Sequence, residues 1–175
     1  MKFLTLEGGQ LGALLDAAVV DIGAAARELS TDVAVATLQS LVRAGDAAAA
    51  AVWTLAQQAL DAGVASRPLA EIRPMAPIPV PRRNILCLGK NYLEHAQEIA
   101  VKMKQSGEAP RQPIIFTKAT TAVIAPGAPI PAYQAYTRKL DYEAELALVI
   151  GKGGRDIAPR DAWAHVFGYC LLYTS

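Results

Sequence analysis

Four prolines at close intervals constrain the fold of this chain more than any other feature. They lie within residues 73–83, at Pro74, Pro77, Pro79 and Pro81. Proline fixes φ and carries no amide hydrogen, so this stretch cannot form a helix or a central strand and is predicted to be an extended connector. We therefore predict two domains, residues 1–76 and residues 77–175, separated inside this connector.

Composition and charge indicate what kind of partner the chain has. It is 53% hydrophobic and 19% charged, which is typical of a packed globular protein and not of a disordered one. The net charge is +1 and the basic residues are scattered, so we expect no nucleic-acid partner. No apolar run has the length of a signal peptide or a membrane span, which predicts no membrane partner and a cytoplasmic location.

Apolar spacing in the first domain predicts a small α/β unit. Residues 2–6 and 18–22 have the character of strands. A helix is predicted from the cap candidates at 30–32 to Arg43, with Gly45 as its stop, and a second one from Asp46 to Gly63.

The second domain alternates short apolar runs with turn residues. Strands are predicted at residues 85–88, 114–116, 122–124, 128–130, 140–150 and 168–172. Helices are predicted at residues 92–104 and 159–166, and residues 106–113 are predicted to be a loop. Cys87 and Cys170 lie in apolar stretches without metal-type spacing, so we predict reduced core residues.

Three acids alternate at the head of the strand predicted at residues 140–150. Asp141, Glu143 and Glu145 therefore point to one face. A solvent-facing edge strand would explain this pattern. However, the apolar run at 146–150 predicts a strand in the interior, where an acidic pair needs a cation. Cβ atoms about 7 Å apart allow both carboxylates to bind one ion, and oxygen donors favour Mg²⁺, Mn²⁺ or Ca²⁺ over zinc.

Two other groups could take part in chemistry. His95 and Glu98 are three residues apart and share a helix face, so they form either a surface pair or a general base held by a carboxylate. Lys118 follows the strand predicted at 114–116, where it is either a solvated strand terminus or an anchor for a substrate carboxylate or a developing oxyanion. The other histidine, His165, is predicted to be structural.

Three motifs in order resemble the fumarylacetoacetate hydrolase family. Residues 89–98 are Gly-Lys-Asn-Tyr-Leu-Glu-His-Ala-Gln-Glu, residues 116–118 are Phe-Thr-Lys, and residues 141–146 are Asp-Tyr-Glu-Ala-Glu-Leu. Each motif alone is weak, but three with fitting separations are specific. The resemblance extends from about residue 79 to residue 172.

The resemblance implies a fold, a site and a reaction. The fold would be α+β, with a small N-terminal α/β domain followed by a mixed β-roll, and the protein would be a homodimer. Glu143 and Glu145 would bind the metal, and His95 with Glu98 would activate water. Lys118, Asn91 and Tyr92 would hold a small 2-oxo acid, and residues 99–112 would act as a lid.

The implied function is metal-dependent hydrolysis of a carbon–carbon bond in a fumarylacetoacetate-like or acylpyruvate-like acid. An isomerase or decarboxylase of a related 2-oxo acid, in aromatic compound catabolism, is the alternative. Family members continue past the position of Leu172 with a further aspartate ligand, whereas this chain has Tyr-Thr-Ser at 173–175. We therefore expect an incomplete β-roll from a truncated chain, and a non-catalytic fragment is a third hypothesis.

Overall fold

The computed structural model describes residues 1–94, 97, 112–140 and 143–174, without the side chains of residues 173 and 174. The chain forms two compact units. The first unit contains Met1–Ile78 and Ala125–Ser175, and the second unit contains Pro79–Ile124. The mixture of helices and small sheets confirms the α+β class. The division into domains after residue 76 stays a prediction.

The first unit begins with a four-stranded antiparallel sheet. Its strands pair in chain order: β1 (Phe3–Thr5), β2 (Leu11–Leu15), β3 (Ala18–Asp21) and β4 (Ser66–Pro68). The hairpin between β2 and β3 turns at Asp16, whose φ of 50° suits the first position of a two-residue turn. The sequence predicted β1 and β3, but not β2 or β4.

Three helices cover this sheet. They are α1 (Ile22–Glu28), α2 (Leu38–Ala44) and α3 (Asp46–Asp61). Asp21 caps α1 by accepting a hydrogen bond from the Ala24 amide at 2.9 Å. The core between helices and sheet is made of apolar side chains from both layers, among them Leu11, Val20, Ile22, Leu41, Val52 and Leu55.

The start at residues 30–32 of the first predicted helix is wrong, because the helix in that region, α2, begins at Leu38 with Thr37 as its cap. The Leu11 amide donates to the Ala36 carbonyl at 3.0 Å, which holds the preceding segment against β2. Val33 and Val35 pack on the core from this non-helical segment. The predicted helix at residues 46–63 is confirmed by α3.

The proline-rich connector is attached to the first sheet. The Met75 amide donates to the Thr5 carbonyl at 2.8 Å, and the buried Thr5 hydroxyl donates to the Pro77 carbonyl at 2.6 Å. Ala76, between them, is buried. The connector forms no helix, as predicted, and these bonds fix it up to Pro77; it bends at residues 77–80 and 82–83 and is not extended throughout.

The remaining described strands form two antiparallel pairs, which we call ribbons. In the second unit β5 (Ile85–Gly89) pairs antiparallel with β6 (Ile114–Lys118). In the first unit β7 (Glu143–Ile150) pairs antiparallel with β8 (Val166–Thr174). These four strands confirm the predictions at residues 85–88, 114–116, 140–150 and 168–172, apart from residues 140–142 at the head of the third.

The remaining predictions for residues 120–166 have mixed outcomes. The strands predicted at residues 122–124 and 128–130 are wrong: a 3₁₀ turn occupies Thr120–Ala122, and no strand pairing holds the rest. The predicted short helix is a 3₁₀ helix, Pro159–His165. In the described part of the chain, no helix is both long and apolar enough to cross a membrane.

Candidate functional site

Glu143 and Glu145 are at the start of β7 and point to one face of the β7–β8 ribbon. Their backbone partners on β8 are Thr174 and Leu172. Two residues apart on a strand, the acids have Cβ atoms roughly 7 Å apart. Glu143 is exposed and Glu145 is half-buried. We call the face that carries these two side chains the acidic face.

The acidic face is the side of the ribbon that turns toward the core of the first unit. Further along β7 it carries Ala147 and Val149, both half-buried, and Val149 packs against the core. The acids therefore belong to a partly covered surface. Partial burial strengthens the attraction of a carboxylate pair for a cation, because solvent screens the charges less.

The opposite face of the ribbon is apolar and exposed, which corrects one prediction. The run at residues 146–150 predicted a strand in the protein interior. Instead Leu146, Leu148 and Ile150 are 52%, 46% and 58% exposed. The core of the first unit contacts the other face, through Val149, so alternate residues of one apolar run have opposite environments.

The acidic pair offers a hard cation suitable donors. Both side chains supply oxygen only, which matches the ligands that Mg²⁺, Mn²⁺ and Ca²⁺ prefer. Within the described residues no group of three His, Cys, Asp or Glu side chains converges as a metal site. The pair therefore fits part of a ligand set for a divalent cation.

Cys170, which was predicted to be a core residue, is a neighbour of the acidic pair. It pairs with Ala147, so its side chain is on the acidic face, diagonal to Glu145. Both cysteines are free, Cys87 buried and Cys170 half-buried. Burial raises the pKa of the Cys170 thiol, which keeps it protonated near neutral pH. Side chains alternate between the two faces of a strand, so the strand predicted from Gly168 onward already separated Cys170 from its neighbours Tyr169 and Leu171. That alternation was the sequence signal that could have placed Cys170 on one face of β8.

Lys118, Asn91 and Tyr92 belong to the second unit, where they are not neighbours. Lys118 ends β6 and pairs with Ile85 at the start of β5, whereas Asn91 and Tyr92 follow the end of β5. The two ends of β5, Ile85 and Gly89, are four positions apart in the sequence, which is roughly 13 Å at about 3.3 Å per residue. Lys118 is half-buried, and Asn91 and Tyr92 are exposed.

The predicted dyad of His95 and Glu98 lies outside the described residues, as does residue 141. Helical backbone is described at Leu93 and Glu94, which precede His95 in the chain. The predicted lid at residues 99–112 also falls outside them, except for Gln112. These assignments stay predictions.

His165 has the structural role that the sequence predicted. Its Nδ1 is 2.8 Å from the Lys152 carbonyl oxygen, and its own carbonyl accepts from the amides of Gly151 and Lys152. A Cβ at Gly154 would be 2.9 Å from His165 Cε1, so the turn at 151–154 closes tightly around this ring. The histidine thereby fixes the loop that joins β7 to the 3₁₀ helix before β8.

The family model described as the C-terminal part of fumarylacetoacetate (FAA) hydrolase matches residues 84–173, just over half of the chain. The chain belongs to the fumarylacetoacetate hydrolase family. The match includes all the residues assigned to the site and both ribbons except Thr174 at the end of β8. The resemblance that three short motifs carried is thus confirmed.

Relatives with curated names share substantial identity with the chain. An oxaloacetate tautomerase of Bacillus subtilis is 43% identical over 104 residues, which are 59% of this chain and 33% of that protein. A mitochondrial oxaloacetate tautomerase of Xenopus laevis is 37% identical over 118 residues, 67% of this chain and 34% of that protein. The chain thus matches about a third of the length of these relatives.

Solved structures of the fumarylacetoacetate hydrolase family share the fold. Maleylpyruvate hydrolase from Sphingobium sp. SYK-6, in complex with manganese(II) and pyruvate, is 28% identical with a TM-score of 0.69. The similarity covers 99% of this chain and 58% of that one. A fumarylacetoacetate hydrolase from Exiguobacterium antarcticum is 26% identical with a TM-score of 0.62, over 98% of this chain and 53% of that one.

Proposed function

We propose that this protein is a metal-dependent enzyme that tautomerises a small 2-oxo acid, with oxaloacetate as its first candidate substrate. The observation that carries the proposal is the pair Glu143 and Glu145 on one partly covered face, inside the segment that the family model matches. Relatives 43% and 37% identical to the chain are named oxaloacetate tautomerases. These names favour tautomerisation over the hydrolysis that the motifs alone suggested.

The residues of the chain would divide the work as follows. Glu143 and Glu145 would hold Mg²⁺ or Mn²⁺, and Lys118, Asn91 and Tyr92 would bind the carboxylates of the acid. The cation, when bound, supplies Lewis-acid polarisation of the 2-oxo group. His95, oriented by Glu98, would take a proton from C3 of the ketone while the C2 oxygen gains one to form the enol, and would return a proton to C3 while the enol hydroxyl gives its proton to water.

The decay of enol oxaloacetate, followed by its ultraviolet absorbance, tests the proposal. We expect Mn²⁺ or Mg²⁺ to support an acceleration that a chelator abolishes. Glu145→Gln should lose most of it, whereas the distant surface variant Glu28→Gln should keep it. A rate equal to the buffer rate, in a chain that binds Mn²⁺, would rule out tautomerisation.

Hydrolysis of a carbon–carbon bond is the second candidate, because the manganese- and pyruvate-bound structure of similar fold is a maleylpyruvate hydrolase. Cleavage of an acylpyruvate requires a water, which the dyad of His95 and Glu98 would activate. Incubation with an acylpyruvate and enzymatic measurement of released pyruvate separates the two activities. A hydrolase should lose pyruvate release in His95→Ala, and a tautomerase should release none in either form.

Decarboxylation is tested with the same enzymatic measurement of pyruvate. A decarboxylase would convert oxaloacetate to pyruvate and carbon dioxide, so pyruvate would accumulate with oxaloacetate as the only substrate.

The third hypothesis, a non-catalytic fragment, predicts no heat of Mn²⁺ binding in calorimetry and no reaction with either acid.

A further inference from the structure

Lys90 adopts a backbone conformation that lysine rarely takes. Its φ is 53°, in the left-handed region that glycine and asparagine tolerate best. The residue lies between the end of β5 at Gly89 and the helical turn that begins at Leu93. It is therefore the point at which the chain leaves the strand and turns toward Asn91 and Tyr92.

The strand before Lys90 leaves little freedom for this turn to occur elsewhere. Gly89 is paired with Ile114, and a Cβ built on Gly89 would be 3.3 Å from the Ile114 Cγ2 atom. The direction of the chain is thus fixed up to Gly89 by the β5–β6 pairing. The positive φ of Lys90 then sets the direction in which the chain continues into Asn91 and Tyr92.

We infer that the left-handed conformation of Lys90 positions Asn91 and Tyr92 for the substrate, which makes Lys90 a positioning residue. The inference rests on the proposed function, in which Asn91 and Tyr92 bind the carboxylates of the acid. It attributes the effect of Lys90 to its backbone and not to its ammonium group. Substitutions should therefore rank by their tolerance of a positive φ, with glycine and asparagine best, alanine equal to lysine because both have one unbranched Cβ, and valine worst.

The test is calorimetric binding of pyruvate to the manganese-loaded chain, for Lys90→Gly, Lys90→Asn, Lys90→Ala and Lys90→Val. We expect glycine and asparagine to bind within about twofold of the original chain, and valine to bind at least about tenfold more weakly, since small misplacements at a site have large effects. The affinity for Mn²⁺ alone should be unchanged in all four, because the acidic pair is untouched. If valine prevents folding, the β-branched but polar variant Lys90→Thr, set against glycine, gives the same comparison.

Ser30→Val is the matched control. Ser30 is exposed and has a φ of 52°, but it lies after α1 in the first unit. This variant should lower the melting temperature as Lys90→Val does and leave pyruvate binding unchanged.

Two outcomes would overturn the inference alone. One is equal pyruvate affinity across the Lys90 series, and the other is a loss in glycine and asparagine as large as in valine, which would assign the effect to the ammonium group. If the original chain binds Mn²⁺ but no pyruvate, the proposed function fails, and the inference fails with it.

Discussion

Glu143 and Glu145 carry the charge of the candidate site, so replacing one should affect cation binding more than stability. We predict that Glu145→Gln weakens Mn²⁺ binding at least about tenfold, because ligand charge sets affinity for a hard cation. The free energy of unfolding without metal should not fall, since two like charges on one face repel. Isothermal calorimetry and urea unfolding measure the two quantities.

The control for this substitution is Glu28→Gln, which removes an exposed carboxylate from α1. It should leave Mn²⁺ affinity unchanged. Equal weakening in both variants would show that the cation responds to overall charge and not to the acidic face.

Cys170 predicts a pH dependence of stability. Burial raises the pKa of its thiol above the ordinary value of 9.0, so the folded chain holds this proton more tightly than the unfolded one. The stability that results is present below pH 9.0 and is lost as the pH rises through the pKa of the folded state. Urea unfolding between neutral and alkaline pH should therefore show a steeper loss for the original chain than for Cys170→Ser. Identical slopes would contradict it.

At the scale of elements, the short helix α2 depends on its cap. The Thr37 hydroxyl accepts from the Ser40 amide at 3.1 Å, and the Ser40 hydroxyl accepts from the Thr37 amide at 3.0 Å. A helix of 7 residues has little stability of its own. We predict that Thr37→Ala lowers the free energy of unfolding by about 1 kcal/mol.

Thr54→Ala provides the comparison for the cap. Its hydroxyl donates to the Ala50 carbonyl inside α3, where alanine is the better helix former. The substitution should be neutral or slightly stabilising. A loss in Thr54→Ala as large as that in Thr37→Ala would show that threonine removal, and not the cap, is responsible.

At the scale of the whole molecule, apolar side chains are distributed unevenly. Leu41 is completely buried, whereas Leu171 on β8 is 82% exposed. We predict that Leu41→Ala costs about 2–5 kcal/mol of unfolding free energy and that Leu171→Ala changes it by less than about 0.5 kcal/mol. Chemical denaturation of both variants measures the difference. Similar losses would show that β8 is covered in solution.

The exposed apolar face of the β7–β8 ribbon also bears on self-association. Leu146, Leu148, Ile150, Tyr169 and Leu171 are all between 46% and 82% exposed. Patches of this kind usually contact a partner or promote aggregation. The homodimer that the family resemblance implied stays a prediction. Light scattering over a range of concentrations should show less association for Leu171→Lys than for the surface control Gln57→Lys, and equal association would exclude this face.

Local signals predicted part of the fold well. Gly45 and Gly63 bracket α3, and the unbroken apolar runs predicted β5, β7 and β8. The start of α2 could not be obtained this way, because Ser30, Thr31 and Asp32 are as good caps as Thr37. The choice depends on the bond from the Leu11 amide to the Ala36 carbonyl, which joins residues distant in the chain.

The sequence by itself determined the family and the pairing of Glu143 with Glu145 on one face, because motif order and strand alternation are properties of the chain alone. Only the tertiary structure decided that this face turns toward the core and that Leu146, Leu148 and Ile150 stay exposed. It also decided that Lys118 and Asn91 are at opposite ends of the β5–β6 ribbon. Burial and register depend on which segments pack and pair, and residues far apart in the chain settle both.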